Sequence, residues 1–288
     1  PHGNGAANLN AEEANVSFSG NSLKSFILIQ PGSDDTSVSG FEDLGNGFYG
    51  KVAATIGENK YSSVQLAVDA AKDGETVVVS SGRHEEEVTI SNKAIKLVGE
   101  DGAELFAVTA INGTGNELEG LTIENIHFYG ASNQVHGDVN ATALYIQGPY
   151  KDVVVKDNEY VYEGTLWANP YLTPDCTIAI TTGWEINGML VENNLIKGYT
   201  ISAYHNPDWT DLTQTGSNDI VYTGNTFEDI LSGAYFGGVD HVTVTDNTFI
   251  KSNGLRFAYG STIDDLSENA FVSRPDDTSY GSYAVRFY

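Results

Sequence analysis

The chain has 288 residues, 40% hydrophobic and 18% charged, which is ordinary for a folded, soluble protein and enough to bury a core. Its 39 acidic against 14 basic side chains give a formal net charge of -25, which opposes partnership with nucleic acid or anionic lipid. The single cysteine, Cys176, cannot form an intramolecular disulfide, and no apolar run is long enough for membrane insertion.

Residues 1–22 are small and polar, with Val16 and Phe18 as the only strong strand formers; such an arm is free unless a partner holds it. The chain begins at Pro1 rather than methionine, so a processed or excised segment is expected. Residues 23–60 form an N-terminal β extension, with a strand at Ser25–Gln30, turns at Pro31-Gly32 and Asp34-Asp35, and strands around Phe48–Ile56. Tyr61–Lys72 reads as a helix, because Val64, Ala67, Val68 and Ala71 recur at three- and four-residue spacing behind a Ser62 or Ser63 cap. Strands follow at Thr76–Val79, Val88–Ile90 and Ile95–Val98. A helix closing the open end of the first coil is expected, since an uncovered sheet end leaves core and backbone in water.

From Gly120 onward one pattern repeats: β-branched residues, an asparagine, then an apolar residue two positions later. It runs through Val153-Val155…Asn158-Tyr160, Leu190…Asn194-Ile196, Ile220…Asn225-Phe227, Val242-Val244…Asn247-Phe249 and Leu266…Asn269-Phe271, with a looser version at Asn125. The asparagines stand 36, 31, 22 and 22 residues apart, and repeats of this size indicate a solenoid. Stacked Val, Ile and Phe rows would make its core, and the asparagines a hydrogen-bonded ladder in the turns.

The segment Ile56-Gly57-Glu58 through Thr76-Val77-Val78-Val79 resembles the entry of pectin-lyase-like right-handed parallel β-helices, most closely those of surface proteins of Gram-positive bacteria. The resemblance implies an all-β right-handed parallel β-helix over residues 61–288, capped by helix 61–72, and an extracellular or cell-surface location. The enzyme motifs of the family are missing: Gly-His-Gly is absent, and Ser273-Arg274-Pro275-Asp276 is only a fragment of the lyase R-x-P-x-x-R.

Candidate sites lie at three places. The long coils carry all three tryptophans, and Trp167, Trp184, Tyr204, His205 and Trp209 suit the faces and hydroxyls of a glycan, or else pack the long loops against the wall. Alternation in Leu255-Arg256-Phe257 and Val285-Arg286-Phe287 turns Arg256 and Arg286 outward on successive coils, where they would bind a uronate, stabilise an enolate or offset nearby acids such as Asp264, Asp265, Asp276 and Asp277. In an enzyme, a polysaccharide lyase or glycoside hydrolase, Arg256, Arg286, Asp264 and Asp265 would carry the chemistry, although adjacent acids on a strand should face opposite ways. The third place is the pair of ends: Val16 and Phe18 on the arm and Val285 and Phe287 on an uncapped last coil suit head-to-tail assembly.

No cofactor is expected; the histidines lack metal-ligand spacing, and calcium at an Asp/Asn turn is the one compatible ion. The function expected is that of a non-catalytic, structural or adhesive surface protein whose partners are itself, other surface proteins or glycans.

Overall fold

A computed structural model describes residues 48–132, 140–164, 176–183, 185–205, 216–272 and 283–288, together with short strands at 8–9, 16–17, 27–29, 38–39 and 42–43. The described chain is mostly β, with one short helix and long parallel sheets, an arrangement compatible with an all-β solenoid.

An 11-stranded sheet carries Thr76–Val79, Lys96–Gly99, Thr122–Glu124, Tyr150–Lys156, Ile186–Glu192, Ser217–Thr223, Val239–Thr245 and Ile263–Asp265 in sequence order, all parallel. A 14-stranded sheet folds about one long strand, Ala103–Ile111. The first half of that strand pairs with His127–Phe128 and starts one limb, which continues to Ala270–Phe271. Its second half pairs with Asn140–Gln147 and starts the other limb, which runs through Cys176–Thr182, Ile201–His205, Tyr235–Gly237 and Leu255–Ala258 to Val285–Phe287.

Parallel pairing in register stacks equivalent side chains, so each sheet contributes continuous inward rows. Val77, Leu97, Ile123, Val155, Val191, Tyr222 and Val244 form one such row, fully buried. On the first limb Phe128 stacks on Tyr160 at 4.7 Å between centroids, and Phe227, Phe249 and Phe271 stack at 4.6 and 4.7 Å. These spacings equal the strand separation, so the aromatic contact comes with the pairing itself.

The asparagine ladder forms as the repeat suggests. Asn158 donates through Nδ2 to Asn194 Oδ1 (3.1 Å), Asn194 to Asn225 (3.0 Å), Asn225 to Asn247 (2.9 Å) and Asn247 to Asn269 (3.0 Å). The residue before each ladder asparagine has positive φ, as at Asp157, Asn193, Gly224, Asp246 and Glu268. Asn125 is not a ladder member: its φ is 55° and it holds the pre-ladder position, while the Ile126 amide takes the ladder place and donates to Asn158 Oδ1.

The helix spans Val64–Ala70, shorter than the expected Tyr61–Lys72, with Ser63 as its N-cap. Its buried Val64, Ala67 and Val68 join the core. Glu86 accepts from Ser63 Oγ and from the Val64 and Gln65 amides at the helix start, and Lys93 donates to the Val68, Asp69 and Ala71 carbonyls at its end. The Gln65 side chain completes a two-bond pair with Thr89, accepting from its amide at 2.7 Å and donating to its carbonyl at 3.0 Å, so it occupies the edge of strand Gly82–Ser91. The N-terminal strands form a separate small sheet, in the order Asn8–Leu9, Ile27–Ile29, Phe48–Gly50 and Glu42–Asp43, and a further pair, Val16–Ser17 with Val38–Ser39.

Candidate functional site

The sequence-derived positions separate in space. Asp264 and Asp265 lie on the 11-stranded sheet, whereas Arg256 and Arg286 pair level with one another on the second limb of the other sheet. The four do not form one site. Asp264 faces His241 Nδ1 at 3.1 Å, a contact that raises the histidine pKa, and Asp265 accepts from the Ser267 amide, which lowers its own. Both acids are exposed rather than on opposite faces, because the pairing register shifts there: Val242 meets Ile263 and Thr243 meets Asp265.

His205 is turned inward and is not offered to a ligand on the outer wall. It is 1% exposed, bonded through Nδ1 to Thr182 Oγ1 and through Nε2 to the Tyr222 hydroxyl, both at 2.7 Å, and stacked on Phe236. Burial pushes its pKa down to about 3. Tyr204 points the other way and stacks on Tyr235 at 4.9 Å. Trp167, Trp184, Trp209 and Phe18 lie outside the described residues. The Val16–Ser17 backbone pairs with Val38–Ser39 of the same chain, and Phe287 at the last level is 65% exposed with Val285 half-buried beside it.

The outer row of the second limb reads Thr109, Tyr145, Thr181, Tyr204, Tyr235, Arg256, Arg286 in register. Its middle is closed to solvent: Tyr145, Thr181 and Tyr235 are buried, and a separate apolar cluster of Cys176, Ile178 and Ile201 packs with Tyr204. The row is open at its two ends.

At the first end lies a groove of about 430 Å³ lined by Arg83, Glu85, Glu87, Phe106 and Tyr129. It adjoins a smaller one of about 240 Å³ lined by Glu87, Thr89, Thr109, Ser132 and neighbouring apolar residues. Strand Gly82–Ser91 carries a bulge between His84 and Glu87, while Glu86 turns to the helix start. Arg83 lies 3.6 Å over the Tyr129 ring and donates to Glu163 at 2.8 Å; that hydrogen bond raises the arginine pKa and lowers the glutamate's. The Tyr129 hydroxyl donates to the His84 carbonyl, Phe106 meets the Tyr129 ring edge-on at 5.6 Å, and Ser132 donates to Glu87 at 2.9 Å. Gly130 allows this packing, since a Cβ there would lie 2.3 Å from the Phe106 ring.

The groove therefore offers a partly exposed aromatic ring, a guanidinium already paired with a carboxylate, and further carboxylates as acceptors. It suits a neutral, hydroxyl-rich ligand better than an anion. Sequence reasoning did not single it out. Its signals are the charged run Arg83-His84-Glu85-Glu86-Glu87 inside a strand and the aromatic pair Phe128-Tyr129, only the first of which faces the core. Among the described residues no three His, Cys, Asp or Glu side chains are grouped to hold a metal.

No protein-family model matches the chain, and comparisons with curated proteins and with solved structures returned no significant match.

Proposed function

We propose that this chain is a non-catalytic, extracellular surface domain, a right-handed parallel β-helix that binds a neutral glycan in the Arg83–Ser132 groove. The observation that carries the reading is the groove lining: Phe106 supplies an apolar face for sugar C–H groups, and Glu85, Glu87 and Ser132, the last two bonded to each other, supply hydrogen-bonding groups around it. The similarity of residues 56–79 to the entry segments of bacterial surface β-helices supports the location and the handedness. Glu85, Glu87 and Phe106 lie on paired strands, which favours recognition because little conformational entropy is lost on binding.

A glycan array probed with the intact chain, followed by calorimetric titration of the best oligosaccharide, tests the reading. Phe106→Ala should weaken binding at least ten-fold, and Glu87→Gln by several-fold. No binding of any neutral glycan, or binding indifferent to both substitutions, refutes it. Chain cleavage of the bound polymer that is lost in Glu87→Gln would instead make the domain a polysaccharide-active enzyme. A second reading, self-association, draws on exposed Phe271, Val272, Phe287 and Tyr288 at the last level. Sedimentation at rising concentration tests it, and a monomer throughout removes it.

A further inference from the structure

We infer that the ligand of the Arg83–Ser132 groove is a linear oligosaccharide, not a single sugar, and that it lies along strands Gly82–Ser91 and Ala103–Ile111, across the stacking direction of the coils. This rests on the glycan reading of that groove and adds the length and direction of its ligand. The two grooves, of about 430 and 240 Å³, share Glu87 and adjoin as one trough. Their linings advance together along paired strands, from Arg83 to Thr89 on one and from Phe106 to Ile111 on the other. At about 3.3 Å per residue the stretch from Phe106 to Ile111 is about 16 Å long, more than one sugar ring covers.

The two halves of the trough differ in chemistry. The first offers the Phe106 ring, with Tyr129 edge-on to it at 5.6 Å, and suits the C–H face of one sugar unit. The second is lined by Glu87, Thr89, Thr109 and Ser132 beside aliphatic residues. Thr89 and Thr109 are register partners, so their backbones stand about 4.8 Å apart and they bring a pair of hydroxyls to the outer face, Thr89 exposed and Thr109 half-buried. Each hydroxyl can donate to or accept from a sugar hydroxyl, but neither gives a ring to stack on. A single sugar unit reaches one half only. A chain reaches both.

The direction follows from what closes the trough along the coil stack. On the first limb Arg83 lies over Tyr129 and bridges at 2.8 Å to Glu163, which follows the strand two levels on. On the second limb the level after Thr109 holds Tyr145, 2% exposed, and the next holds Thr181, 6% exposed. A chain laid along the stack therefore meets a closed wall on both limbs. Laid along the strands, it passes from the aromatic half to the hydroxyl half without crossing either.

The test is calorimetric titration of the intact chain with oligomers, from one unit to six, of the neutral glycan that binds best on the array. Affinity should rise at least ten-fold from the single unit to the length that fills both halves, and then level off. Thr109→Val removes one hydroxyl with little change of shape; it should weaken the long oligomers at least three-fold and leave both the single unit and the unfolding midpoint unchanged. Phe106→Ala should weaken every length. In NMR spectra, lengthening the oligomer should add shifts at Thr89 and Thr109; added shifts at His127 and Glu159 instead would place the chain along the stack and overturn the inference. Equal affinity for one unit and six, or long oligomers indifferent to Thr109→Val, would also overturn it while the glycan reading of the groove stands. Binding of no neutral glycan removes both.

Discussion

Asn225 is the rung at which the asparagine ladder can be tested most sharply. It is fully buried, and its Nδ2 donates to the Val191 carbonyl (2.8 Å), the Thr223 carbonyl (3.1 Å) and Asn247 Oδ1 (2.9 Å). Its Oδ1 accepts from the Asn194 amide (2.9 Å) and Asn194 Nδ2 (3.0 Å). Asn225→Ala leaves the Asn194 amide without an acceptor where water does not reach, at about 1–3 kcal/mol, and removes the side-chain donor to Val191. Adding the small void, the total is about 3–4 kcal/mol. Asn194 Nδ2 keeps the Val155 and Glu192 carbonyls, so the damage stays local. Asn269→Ala at the ladder's half-exposed end should cost only about 1 kcal/mol, because water replaces the lost partner. Urea unfolding gives the free energies, and hydrogen exchange at the Asn194 amide gives the local readout. A cost below about 0.5 kcal/mol for Asn225→Ala, or equal costs at both rungs, would show that the ladder follows from strand pairing and adds nothing to it.

Other expectations follow from individual residues. The His205 pKa, about 3 in the folded state, is depressed, so its contribution is fully present above the unfolded value near 6.5 and is lost as pH falls from there towards 3. The shift corresponds to at most about 5 kcal/mol, and His205→Phe should flatten the stability profile by up to about 1.4 kcal/mol per pH unit in that window; parallel profiles would refute the assignment. Cys176 is buried and its thiol pKa is pushed up to about 12, so native protein should react with a thiol reagent only at the rate of local opening, orders of magnitude slower than unfolded chain. Gly148 has φ of 100°, and a Cβ there would stand 2.1 Å from the Asn112 carbonyl oxygen; Gly148→Ala should cost about 2 kcal/mol or more in thermal unfolding, and a neutral result would mean the turn can relax.

The repeat, the inward rows and the ladder were legible because a solenoid makes each coil's neighbour its own near copy. One hydrophobic alternation and one turn asparagine, read at Val242-Val244…Asn247-Phe249, therefore describe the local packing of the levels from Asn158 to Asn269. The cap was equally readable in the spacing of Val64, Ala67, Val68 and Ala71, but the partner of its last carbonyls is Lys93, which follows strand Gly82–Ser91 more than twenty residues along the chain.

The tertiary structure alone decided which polar residues meet. Alternation fixes the side of a strand, not the sheet to which the strand belongs, so it could not show that Asp264 and Arg256 belong to different sheets. His205 followed the alternation inward, where the aromatic loop composition had suggested the surface; register with Phe236 and Phe257 makes it a core rung. The Arg83 groove exists because a bulge in one strand, the corner at Phe106 and Glu163 from a later coil converge on Tyr129. That convergence spans eighty residues between Arg83 and Glu163, a separation that no local periodicity encodes.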